Sequence, residues 1–171
     1  KRVGAVNTVY CEDGLIIGDN TDVQGFLTDL KHCYQGDPST ALILGAGGSA
    51  HAITTALLND GWKISIAARR PEQVEALLAH IHQVDPSGAA QSDSIPYSLA
   101  ALERCVRRCK LLVNSTPVGM YPHVDVSPWF EELLMPSELM VYDLVYNPAE
   151  TAFVRFSREC GAKGATGLGM L

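Results

Sequence analysis

The chain has 171 residues, 47% of them hydrophobic and 19% charged, which suits one globular domain with some extra segments and a core that needs no disulfide or metal. A formal net charge of −6 gives no general attraction to nucleic acid or anionic lipid, so neither is expected as a partner. No apolar run approaches the roughly 20 residues of a membrane span, nothing reads as a secretory leader, and an odd count of five cysteines points to reduced thiols in a cytoplasmic protein.

In chain order, Val3, Val6, Val9 and Tyr10 precede Glu12-Asp13-Gly14, and Leu15-Ile16-Ile17 follow. Asp-Gly between apolar runs predicts a β-hairpin. Asn20-Thr21-Asp22 offers capping side chains for a helix that carries Val23, Phe26, Leu27 and Leu30 on one face. Gln35-Gly36-Asp37-Pro38 ends that helix as a linker. The division expected is a hairpin and helix over 1–36 and a second unit over 37–171.

Residues 41–44, Ala-Leu-Ile-Leu, form a wholly apolar run, as a strand buried on both faces requires. A glycine-rich turn follows, then a helix over 49–58 and a strand over 63–67. Pro71 suits the first turn of a helix reaching residue 82. Residues 85–94 read as loop, 95–97 as a short strand and 99–107 as a helix. Strands are expected at 111–113 and 139–142, with a last helix over 149–160. Cys105 and Cys109 stand four apart in a predicted helix without the further soft ligands a metal needs, so no metal is expected. The alternation predicts an α/β fold: a Rossmann-like, doubly wound parallel sheet of about six strands with helices on both faces.

Gly45-Ala46-Gly47-Gly48-Ser49-Ala50 fits G-x-G-x-x-G/A between a strand and a helix. Gly45 permits the tight turn, Gly47 lets the backbone approach a pyrophosphate, and Ala50 lets helix and strand pack closely. The helix N-terminus adds free N–H groups and a positive dipole end. The plainer alternative is a tight turn with no ligand. At the tip of the second strand, Ala67-Ala68-Arg69-Arg70 has no acidic residue, and Glu72 comes only in the next helix. An acid there would bind the 2′-hydroxyl of NAD, whereas arginine accepts the 2′-phosphate of NADP. NADP is therefore the expected cofactor, against the alternative of two solvated arginines.

Six segments, in order, resemble those of shikimate dehydrogenases and their quinate/shikimate relatives. They are Gly4-Ala5-Val6-Asn7-Thr8-Val9, the segment from Gly18 to Phe26 containing Asn20-Thr21-Asp22, the glycine turn, Asn114-Ser115-Thr116-Pro117-Val118-Gly119-Met120, Asp143-Leu144-Val145-Tyr146-Asn147-Pro148, and Gly167-Leu168-Gly169-Met170-Leu171. The resemblance implies NADP-linked interconversion of 3-dehydroshikimate and shikimate, within aromatic amino-acid biosynthesis. It implies Asp22 as the catalytic carboxylate, with Asn7 and Tyr146 contacting substrate. Gly45, Ala46, Gly47, Gly48, Ser49, Ala50, Arg69 and Arg70 would hold NADP. Asn114, Ser115 and Thr116 would lie beside it, and Leu144 and Gly167 would line the nicotinamide pocket. Plainer roles stand beside these: Asn20 and Asp22 as helix caps, Asn7 as a partner for buried backbone, Tyr146 as a turn residue, and His51 as helix surface.

The resemblance also implies an N-terminal substrate domain carrying a serine pair and the catalytic lysine, and a C-terminal continuation carrying a substrate-binding glutamine. Lys1 is too near Asn7 to be that lysine. The expectation is an NADP-binding part, truncated at its C-terminus and inactive alone, whose partner is the missing N-terminal domain; a homodimer is possible. Quinate as substrate and a catalytically silent nucleotide-binding module remain the alternatives.

Overall fold

The computed structural model describes residues 3–171, so Lys1 lies outside the described residues. Strands β1 (Thr8–Glu12) and β2 (Leu15–Asp19) form an antiparallel hairpin. Asp13 and Gly14 both take positive φ, 51° and 78°, as the tight hairpin turn signalled by Asp-Gly demands. Helix α1 (Asp22–Cys33) follows and buries Phe26 and Leu30.

The remaining strands are β3 (Thr40–Leu44), β4 (Lys63–Ala67), β5 (Ser92–Ser94), β6 (Leu111–Asn114), β7 (Met140–Asp143) and β8 (Lys163–Thr166). They build one parallel sheet in the order β5-β4-β3-β6-β7-β8. Counted from β3 this is the doubly wound order, and it reverses between β3 and β6. The expected α/β architecture is thus the observed one.

The helices are α2 (Gly48–Asn59), α3 (Pro71–Val84), α4 (Pro86–Ala89), α5 (Leu99–Val106) and α6 (Ala152–Glu159). Successive residues of a strand face opposite sides, and the core divides accordingly. Ala41 and Ile43 pack with Phe26, Ile53, Leu57 and Leu77 on one face. Leu42 and Leu44 pack with Leu102, Val106, Trp129 and Phe153 on the other. Helix α1 therefore shares the first core layer. Its Phe26 ring meets Tyr142 of β7 edge-on at 5.0 Å between centroids, and the Tyr142 hydroxyl donates to Asp29 at 2.6 Å.

Three local expectations are corrected. Residues 85–94 contain α4 and edge strand β5. The strand expected at 95–97 falls instead at β5, because Pro96 lacks the N–H that would extend the ladder after Ile95 donates to Ile66. The last helix starts three residues later than expected, where Thr151 caps it by accepting from Val154 N–H at 3.2 Å. Strand β8 and a closing 3-10 turn (Gly167–Met170) complete the fold. Among the described residues no helix is long and apolar enough to cross a membrane.

Phe26→Ala tests whether α1 belongs to the cooperative unit. It should lower the stability of the sheet by about 3–5 kcal/mol, read as a single shifted urea transition by circular dichroism. An unmoved midpoint would make α1 a separate appendage.

Candidate functional site

The site is built where β3 and β6 end side by side. Gly45 leaves β3 with φ +109°, and a Cβ there would stand 2.7 Å from Ser115 Oγ. Its N–H donates to Ala67 O at 2.8 Å, so the turn is clamped between β4 and β6. Gly47 is the reverse case: a Cβ on it would meet nothing within 4 Å. Space is open above the first turn of α2, where the leading N–H groups have no intrahelical partner. Ala46 and Ala50 are buried, while Gly48 and Ser49 lie on the open side.

Two cavities flank this turn. One, of about 240 Å³, is lined by Gly45, Ala46, Gly47, Arg69, Arg70, Ser115 and Thr116, together with Gln73, Tyr97 and Pro128. No carboxylate lines it, and neither arginine makes an ion pair among the described residues. Tyr97 was not singled out from the sequence. Its hydroxyl donates to Pro128 O, closing the far wall, and burial raises its pKa against the lowering influence of Arg69.

The second cavity, of about 360 Å³, is lined by Ser49, Ser115, Thr116, Met120, Tyr121, Leu144 and Tyr146, with Pro117, Val145 and Asn147. Ser115 and Thr116 are common to both. Asn114 lines neither; it is fully buried. Its Oδ1 accepts from Thr116 N–H at 2.9 Å and from Thr116 Oγ1 at 2.6 Å. Its Nδ2 donates to Val118 O at 3.3 Å and to Asp143 Oδ1 at 2.8 Å. Asp143 was likewise not singled out by itself. Its carboxylate is fully buried and also accepts from Val145 N–H at 3.1 Å and Thr151 Oγ1 at 2.7 Å. Burial raises its pKa to about 6, although those three hydrogen bonds all favour the charged form. Gly167 lies beneath the cavity: a Cβ on it would come within 2.4 Å of Leu144 O.

A third group stands apart from both cavities. Asn7 Nδ2 donates to Asp22 Oδ1 at 2.8 Å and to Thr21 Oγ1 at 3.1 Å. Asn7 Oδ1 accepts from Thr21 N–H at 3.0 Å. Asn20 Oδ1 caps the start of α1 by accepting from Asp22 N–H at 3.1 Å, whereas Asp22 itself makes no cap. No partner of Asp22 Oδ2 occurs among the described residues. The sequence-predicted pair Asn7 and Asp22 is therefore assembled, but by the hairpin and α1. Two close approaches tie its elements to the start of α2 and to the closing turn. Ala5 lies 3.8 Å from a Cβ on Gly48, and Met170 O lies 2.8 Å from a Cβ on Gly25.

His51 lines neither cavity. Its ring lies 5.5 Å from that of His80, and burial, then His80, lowers its pKa. Cys105 and Cys109 hold their Sγ atoms 3.8 Å apart. No group of three or more metal-ligating side chains occurs among the described residues.

A doubly wound sheet, a glycine turn with open space above it and a cavity lined by two arginines at the order reversal define a Rossmann-type nucleotide-binding fold. No family model matches the chain. Over its full length it is 42% identical to shikimate dehydrogenase (NADP(+)) of Salinibacter ruber. The chain spans about 59% of the length of the curated relatives it matches. A crystal structure of shikimate dehydrogenase in complex with NADP+ superposes with TM-score 0.87 at 34% identity, over 99% of this chain and 57% of that one. Quinate dehydrogenase of Corynebacterium glutamicum in complex with NAD superposes with TM-score 0.85 at 26% identity, over 99% of this chain and 59% of that one. The chain is thus similar throughout to NADP-linked shikimate dehydrogenases, and the resemblance carried by the six motifs is borne out.

The two glycines separate folding from binding. Gly45→Ala should destabilise the chain by about 1–3 kcal/mol through its positive φ and the Ser115 clash, measured by thermal melting. Gly47→Ala should leave the melt within about 0.5 kcal/mol of the unaltered chain. A large loss from Gly47→Ala would mean that the space above the turn is not open.

Proposed function

We propose that the chain is the NADP-binding part of an NADP-linked shikimate dehydrogenase interconverting 3-dehydroshikimate and shikimate. The observation that carries this is the cavity beside the open glycine turn, which holds two unpaired guanidiniums and no carboxylate. That donor set fits a nucleotide with a 2′-phosphate, because guanidinium grips phosphate bidentately, and Gly47 leaves room for a pyrophosphate. Gly45 to Ala50 would hold the pyrophosphate, Arg69 and Arg70 the 2′-phosphate, and Ser115, Thr116, Leu144 and Gly167 would form the nicotinamide side. The bound nicotinamide supplies or takes up the hydride.

The chain's own part in the chemistry falls to Asn7, Asp22 and Tyr146. Asn7 orients the Asp22 carboxylate. The unused Oδ2 is placed to hold an ammonium, whose charged form it would favour. We propose that a lysine outside residues 1–171 supplies that ammonium and the proton of ketone reduction. Asn7 and the exposed Tyr146 would contact substrate. We further propose that residues 1–36 connect to a substrate-binding part of the whole protein, with 37–171 the nucleotide unit. The hairpin supports this: Val9 is 67% and Ile16 83% exposed, an apolar face suited to burial against a further domain. A cytoplasmic setting and a homodimer belong to this proposal.

Quinate is the second reading, favoured by the quinate dehydrogenase superposition, and that protein is complexed with NAD. Calorimetric titration with both cofactors separates the two expectations. NADP should bind more tightly than NAD, and Arg69→Ala should weaken NADP by about tenfold or more with little change for NAD. Equal affinities would refute the arginine argument.

The 171-residue chain by itself should bind NADP and yet give no shikimate-dependent rise in NADPH absorbance. Loss of substrate positioning alone forfeits about 7 kcal/mol, and loss of the proton donor a further factor of about a hundred. Measurable turnover would place a substitute for the lysine inside this chain.

A further inference from the structure

The Asn114–Asp143 pair lies at the carboxyl ends of two neighbouring strands and is in direct register, Asn114 opposite Asp143. From each residue a loop departs into the second cavity: Ser115 and Thr116 from β6, Leu144 to Tyr146 from β7. The amide of Asn114 is completely used, with two donors and two acceptances. Its orientation is set by Asp143, because only Nδ2 can face a carboxylate. Asp143 in turn binds the Val145 N–H at the start of its own loop and the Thr151 hydroxyl that caps α6. One buried carboxylate thus fixes both loops and the helix behind them.

We infer that Asp143 is the positioning residue of the nicotinamide-side cavity, holding the loops of β6 and β7 at the spacing that the second half of a dinucleotide requires. The inference rests on the nucleotide reading of the site. The first cavity shares Ser115 and Thr116 with the second, but its arginines and glycine turn have no bond to Asp143, and Ser115 is held separately by Leu44 O. All three groups aimed at the carboxylate are donors in the present arrangement, so a proton on it would oppose one of them and loosen the loops.

The surroundings contain no competing charge within this network. Asn114 faces Asp143 from β6, Thr151 from the α6 cap, Val145 N–H from its own loop, and Thr166 is its register partner on β8. Nearby Glu150 is paired with Arg158 on the surface, and Tyr146 is exposed. With its pKa raised to about 6 by burial, Asp143 is charged at neutral pH and becomes protonated as the pH falls through that value.

The test compares two probes on the full 171-residue chain: NADP, and adenosine 2′-monophosphate, which has the adenosine half with its 2′-phosphate and no other ionising phosphate. Asp143→Asn should weaken NADP by about tenfold, the worth of one hydrogen bond to a charged group, and weaken adenosine 2′-monophosphate far less. In the unaltered chain the ratio of the two affinities should fall by a similar factor between about pH 7.5 and about pH 5, with the titration centred on Asp143. Both probes carry the same 2′-phosphate, so its own titration cancels in the ratio. In Asp143→Asn the ratio should be low and flat with pH. If that variant does not fold, the pH profile of the unaltered chain decides alone. Equal weakening of both probes by the variant, or a ratio flat with pH in the unaltered chain, would overturn the inference. Failure of both probes to bind the unaltered chain would overturn the nucleotide reading and this inference with it.

Discussion

Strands β3 and β6 are neighbours in the sheet, yet the chain leaves β3 toward one face and β6 toward the other. Every feature of the site follows from that divergence, because no connection covers the gap between the two strand ends. The gap can be used only if the backbones on either side stay close. Gly45 meets this requirement: its positive φ turns the chain sharply, and a side chain there would collide with Ser115. A left-handed residue at this position costs an L side chain about 1–3 kcal/mol, so the turn depends on glycine. The contrast with Gly47 shows that the run serves two purposes. One glycine closes the structure on itself, and the other leaves room outside it.

The second constraint is electrostatic. The chain is acidic overall, with a net charge of −6, so an anionic ligand must be drawn by local groups. These are the N-terminal N–H groups of α2 and the guanidiniums of Arg69 and Arg70, which stand beside a cavity without a carboxylate. Elsewhere the exposed arginines Arg107 and Arg158 are paired with Glu103 and Glu150. Exposed pairs of this kind contribute little stability, but they mask charge. The arginines at the cavity are left unmasked.

How much of this was legible in the sequence depended on whether the signal was local. The hairpin could be read because Asp13-Gly14 sets its turn by backbone preference alone. The central strands could be read because burial on both faces makes them continuously apolar. The glycine turn could be read because its tasks fall within six residues. Edge strands β5 and β8 carry Ser-Asp-Ser and Lys-Gly-Ala-Thr; they lie at the two ends of the sheet, where no apolar pattern is enforced. Tyr97 and Asp143 escaped for another reason. Their partners lie 31 and 29 residues away in sequence, at Pro128 and Asn114. Only the fold brings them together, although the presence of Asp143 and Asn114 each at the end of an apolar strand was a usable hint, since a polar residue there needs a buried partner. Asn114 was assigned beside the cofactor from its motif. It lies one layer deeper, under Ser115 and Thr116.

The same close-packing logic joins the Asn7–Asp22 pair to the cavities. Helix α1 carries Asp22 at its start and Gly25 one turn on, where the backbone oxygen of Met170 approaches too closely for any side chain. The turn containing Met170 begins at Gly167, which is pressed in the same manner against Leu144 O, and Leu144 lines the second cavity. A continuous path of backbone contacts therefore runs from the helix of Asp22 to the cavity wall, with a glycine at each junction. Such contacts lack the adjustable side-chain atoms through which a packed interface usually yields. Asp29 strengthens the path, since it receives the Tyr142 hydroxyl from β7 and lies against Gly169 in the closing turn. Helix α1 is thereby fixed to the sheet through both Phe26 and Asp29. The separation between the carboxylate and the nucleotide cavity is consequently a property of the backbone, set before any ligand arrives. The groups left to adapt to a ligand include the side chains of Tyr121 and Tyr146, which line the second cavity and are exposed.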